Sequence, residues 1–82
     1  MTVVPNPFDK QLTVKIQLNT TQQVHMVLTD LEGREIKSLQ TTVAPGVSDV
    51  EIVNAKDALP AGFYFLSITT PQGSFRYKVI RN

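Results

Sequence analysis

The sequence predicts an all-β fold, and three observations carry that prediction. Between Leu12 and Leu18 apolar and polar residues alternate strictly, with Leu12, Val14, Ile16 and Leu18 set against Thr13, Lys15 and Gln17. That is the period of a strand with one buried face. Turn-forming residues recur at short spacing, at Asn19–Gln23, Gly33, Pro45–Gly46, Pro60–Gly62 and Pro71–Gly73, and divide the chain into pieces of strand length. No segment holds the 3.6-residue apolar spacing of an amphipathic helix.

A short leading strand is expected around Thr2 to Val4, before the strand at Leu12–Leu18. Alternation resumes with Val24, Met26 and Leu28 against His25 and Thr29, and the polar residues between the two segments suit a hairpin connection that would pair them. Asp30-Leu31-Glu32-Gly33 closes this strand with turn chemistry, the Asp bonding nearby backbone and the Gly supplying a positive φ. A strand from about Arg34 to Thr42 follows, interrupted by Ala44-Pro45-Gly46. Val50 and Ile52 then mark a short strand ending at Asn54-Ala55-Lys56-Asp57. From Gly62 to Thr70 the run Phe63-Tyr64-Phe65-Leu66-Ser67-Ile68 begins apolar on both faces, as in a central strand covered on both sides. After the Pro71-Gln72-Gly73 turn, Phe75, Tyr77 and Val79 alternate with Arg76 and Lys78, completing a terminal hairpin. Seven short strands without helices give a seven-stranded immunoglobulin-like Greek-key β-sandwich, one domain over residues 1–82.

Bulk properties narrow the function classes. A chain of 82 residues buries only about 60–65% of the surface its unfolded form exposes. With no cysteine, neither a disulfide framework nor a thiolate zinc site reinforces it. Eight Lys and Arg against seven Asp and Glu leave a net charge of +1, far from the positive field that nucleic acid selects. No apolar run approaches the roughly 20 residues that span a bilayer, and Met1–Pro5 lacks the charged start and apolar stretch of an export leader. The chain reads as a piece of a larger protein.

Nothing in the chain assembles a catalytic, cofactor or metal site. His25 is the only histidine and falls on the polar face of its strand, where it lacks converging ligands. Asp9, Asp30, Asp49 and Asp57 sit beside turn or strand-end signals, where carboxylates cap backbone groups. The serines have no nucleophile-elbow context, and the glycines are scattered singly rather than grouped into a phosphate cradle. Phe63, Tyr64, Phe65, Phe75 and Tyr77 are expected in the core, since so small a domain without tryptophan needs its rings inside. Exposed, they would instead form a platform for stacking on sugars, as in a fibronectin-like or carbohydrate-binding accessory module of a secreted enzyme.

Several motifs have mechanical readings of their own. Pro5 and Pro7 fix φ and push Val4 and Asn6 toward extended backbone, a stiff entry before Phe8 anchors on the fold. Gly33 suits a positive φ, Gly62 permits a tight turn into its strand, and Tyr64 shares a face with Leu66 and Ile68. Arg76, Lys78 and Arg81 give the last strand a basic edge, and Asn82 contributes a carboxylate. Such an edge invites pairing with a partner strand or a second copy, while its cations equally serve to keep it from aggregating.

Taken together, Val4-Pro5-Asn6-Pro7-Phe8, Asp30-Leu31-Glu32-Gly33-Arg34, Leu59-Pro60-Ala61-Gly62-Phe63-Tyr64 and the terminal Tyr77-Lys78-Val79-Ile80-Arg81-Asn82 resemble the type IX secretion C-terminal sorting domain in order and spacing across the whole chain. Val4 departs from the aromatic that commonly stands at its position in the family. The resemblance implies a secretion signal at the end of a larger exported protein. An outer-membrane translocon would recognise it, the passenger linked to its N-terminal side would cross from the periplasm to the cell surface or medium, and a sortase would remove the domain, often with attachment of the passenger to the surface. All bond-breaking residues would then belong to the partner, with no cofactor here, and Arg76, Lys78, Arg81 and Asn82 are the residues expected to face the translocon.

Overall fold

A computed structural model describes residues 1–82 as seven strands: β1 (Thr2–Val4), β2 (Leu12–Leu18), β3 (Gln22–Asp30), β4 (Glu35–Val43), β5 (Gly46–Val53), β6 (Gly62–Thr70) and β7 (Gly73–Arg81). A single 3-10 turn, Ala55–Asp57, lies between β5 and β6. They form a three-stranded sheet in the order β1-β2-β5 and a four-stranded sheet in the order β4-β3-β6-β7. All pairings between strands are antiparallel. The order crosses between sheets as an immunoglobulin-like Greek key does, so the expected architecture is the one observed.

The core follows from the alternation. Leu12, Val14 and Ile16 of β2 face Val24, Met26 and Leu28 of β3 together with Leu66 and Ile68 of β6, and all are buried. Each inner face supplies every second residue, so two amphipathic sheets close over one apolar layer. Phe8, outside any strand, is fully buried with them.

Two expectations change. β2 and β3 do not pair: β2 bonds to β1 and β5, and β3 to β4 and β6. The short Asn19–Thr21 connection instead carries the chain from one sheet to the other. Inward-facing residues look alike whether the next strand lies beside or across the core, so the alternation that located both strands was silent on their partnership.

β6 is central in its sheet, but only one of its faces is covered. Tyr64, Leu66 and Ile68 point inward and are buried, while Phe63 is 45% exposed and Phe65 only half-buried on the outer face. Phe75 is also exposed, at an open end of the sandwich, so of the five rings expected inside only Tyr64 is fully enclosed and Tyr77 packs against the core's margin. No third layer lies over the four-stranded sheet, and that leaves the outer rings in solvent.

Candidate functional site

The segments singled out in the sequence gather at one end of the sandwich, where β3 and β7 finish and β6 begins. The β3–β4 connection is a turn built by one side chain. Asp30 Oδ1 accepts the N–H groups of Glu32 (2.9 Å) and Arg34 (3.0 Å), and Oδ2 accepts the Arg34 guanidinium at 2.9 Å. Gly33, at φ +85°, donates its N–H to the Asp30 carbonyl. Burial pushes the Asp30 carboxyl up, but the bonds from the Arg34 N–H, the Arg34 guanidinium and the Glu32 N–H outweigh it and hold the group below the usual carboxylate range.

The entry to β6 is fixed by its tyrosine. Tyr64 is buried, and its hydroxyl donates to the carbonyl of Pro60 at 2.6 Å, four residues upstream. This tyrosine corner pins the β5–β6 connection to the strand it feeds. Between this corner and the Asp30 turn lies a shallow groove of about 290 Å³, with Leu31, Ile36, Pro60 and Phe63 among its lining.

Asp57 anchors the same connection from the other side. Its carboxylate accepts the Lys37 ammonium at 2.7 Å and the Asn54 N–H at 2.8 Å, while Asn54 Oδ1 accepts the N–H of Lys56. The Lys37 bond first, then the Asn54 bond, hold the Asp57 carboxyl below its ordinary value. Asp9 and Asp49 make no such cap. Asp49 lies in mid-strand opposite Lys15, a correction to its expected place at a strand end.

The segment from Pro5 to Phe8 crosses from the edge of one sheet to the edge of the other. β1 pairs with β2, both X–Pro bonds that follow are cis, and the chain then runs beside β7, where Phe8 makes a parallel bridge with Arg81. Phe8 donates to the Ile80 carbonyl (2.7 Å), and its own carbonyl accepts from the Asn82 N–H (2.9 Å). The Asn6 side chain behaves as one more peptide group: Nδ2 donates to the Lys78 carbonyl at 3.0 Å, and Oδ1 accepts the Ile80 N–H at 3.1 Å. The backbone edge of β7 from the Lys78 carbonyl to Asn82 is therefore occupied by the chain itself. Nothing in the sequence pattern signalled this pairing, which links residues more than seventy positions apart.

The four terminal residues expected at a recognition surface do not act alike. Arg76 and Lys78 lie on the outer face and fold back over β6, the Arg76 guanidinium 4.2 Å from the centre of the Phe65 ring and the Lys78 ammonium 4.6 Å from that of Phe63. The Arg81 guanidinium donates to the Asn82 carbonyl oxygen. His25 is exposed on the outer face of β3.

A family model described as "Secretion system C-terminal sorting domain" matches residues 2–82. No curated protein and no solved structure matches the chain.

Proposed function

Because the chain belongs to the secretion system C-terminal sorting domain family of the type IX pathway, we propose that it is the address of a larger exported protein and the substrate, not the catalyst, of the steps performed on it. It marks a secreted protein for passage across the outer membrane and engages the type IX machinery as a tail on a passenger. In this reading the passenger passes through the periplasm, the translocon recognises the domain, a sortase of the machinery severs it on its N-terminal side, and the passenger remains on the cell surface or is released. Arg76, Lys78, Arg81 and Asn82 form the surface offered to the translocon.

The family match over the whole chain is the observation that carries this reading. The geometry is compatible with it: side chains and backbone groups at the family-like motifs are spent on turns, a corner and an edge clamp, leaving a rigid shape rather than a reactive centre. A periplasmic reporter fused ahead of the domain, in a bacterium that has the pathway, is expected outside the cell. A reporter retained in the periplasm would overturn the proposal.

The exposed Phe63 and half-buried Phe65 on the outer face favour a second reading, a sugar-stacking face. Arg76 and Lys78 already lie over these two rings, so a pyranose would have to displace both cations or use what remains of the ring surface. Binding at millimolar glycan that is lost in Phe63→Ala would favour this alternative.

A further inference from the structure

The four exposed sheet edges differ in how they are protected. β1 is three residues long. On edge strand β4, Lys37 reaches across to the connection after β5 and is held by Asp57, and a charge so placed discourages an incoming strand. β5 follows Pro45 and carries Asp49 and Glu51 on its outer face. β7 is nine residues long, contains no proline, and pairs with β6 without a bulge from Gly62↔Arg81 to Thr70↔Gly73.

On β7 the groups of Lys78, Ile80 and Asn82 that meet Asn6 and Phe8 point away from β6. By the two-residue period of a strand, the N–H and C=O of Ser74 and Arg76 and the N–H of Lys78 point the same way. No hydrogen bond reaches them. Half of this edge is thus closed by the chain itself, and half is an open ladder in line with the closed part.

Charged side chains usually protect such an edge by projecting beyond it. Here the two available cations are drawn back over the rings of β6 and leave the ladder unobstructed. On the opposite side of the same strand Phe75 is 43% exposed and Tyr77 half-buried.

We infer that Ser74 to Lys78 is a strand-addition site, taking an extended segment of a partner protein with acidic residues on the face that meets Arg76 and Lys78 and apolar residues on the face that meets Phe75 and Tyr77. The ladder supplies affinity independent of partner sequence, and the alternating cations and rings supply its selectivity. The inference rests on the export reading, in which the partner is a component of the secretion machinery.

Export of the fused reporter tests it with two substitutions at one position. Arg76→Gln keeps the outward N–H and removes the charge. Arg76→Pro removes both while sparing the ladder to β6, because edge strands tolerate proline on their solvent side. Losing ladder bonds is expected to cut export about tenfold, so Arg76→Pro should fall well below Arg76→Gln, with Ser74→Pro matching it should Arg76→Pro not fold. Equal loss in Gln and Pro variants would show that charge alone is read and overturn strand addition. Full export from folded Arg76→Pro and Ser74→Pro, with export abolished when the whole domain is deleted, would overturn it too while leaving the export reading intact. Export that persists without the domain would overturn both. Amide exchange of the purified chain checks the premise: Ser74 and Arg76 should exchange at least roughly tenfold faster than Phe75 and Tyr77, and equal protection would refute the open ladder.

Discussion

Tyr64 combines two roles that pull on the same side chain. Its ring is buried beside Leu66 and Ile68, while its hydroxyl must find a partner and does so at the Pro60 carbonyl, 2.6 Å away. Tyr64→Phe keeps the ring and removes the bond. Since Pro60 is exposed and water can take over its carbonyl, the expected cost is about 1 kcal/mol, read as a lower urea midpoint at unchanged slope. A loss beyond about 3 kcal/mol would mean that the ring packing depends on the bond as well. Gly33 is a comparable single-residue requirement: at φ +85° a side chain is strained even though nothing lies close enough to clash.

The carboxylates held below their ordinary values, Asp57 and Asp30, each fasten a connection to a strand. Asp57 ties the 3-10 turn to β4 through Lys37, and its carboxyl lies below its ordinary value in the folded chain. A depressed folded pKa means that the unfolded chain binds the proton more readily. The contribution is therefore complete above the unfolded value, near 4, and is lost as the pH falls through the lower, folded one. Asp57→Asn should cost about 1 kcal/mol at neutral pH, with the deficit shrinking in acid as the parent loses the same interaction. A deficit that stays constant across denaturant titrations from neutral pH down to about 3 would assign it to packing instead. Asp30 shifts in the same direction and adds to the acid sensitivity of the parent.

For the molecule as a whole, stability rests on one layer of fourteen buried apolar residues, to which Phe8 contributes from outside the strands. Phe8→Ala should remove about 3–5 kcal/mol, a large share of what so small a domain commands, and near- and far-ultraviolet dichroism should lose their signals together. Separated transitions would show instead that the Pro5–Phe8 segment detaches on its own.

Features that depend on neighbours in sequence could be read directly. The alternation at Leu12–Leu18 gives a half-buried strand, and Asp30 and Gly33 make their turn within five residues. What depended on distant partners could not. The inward side chains of β2 and β3 do not reveal that these strands face each other across the core, and Phe63 and Phe65 look like core rings until the outer face is seen to lack a covering layer. The Asn6 amide finds its partners only when both ends of the fold are present.

That last contact also orders events in time. Asn6 and Phe8 are synthesised before Lys78 to Asn82, whose peptide groups they bind. While the intervening strands are being made Phe8 has no seat and Asn6 no mate, and truncation ahead of Lys78 would deny them both. Closure of this seam thus waits until both of its sides have been made, a dependence written into the way residues 6–8 meet residues 78–82.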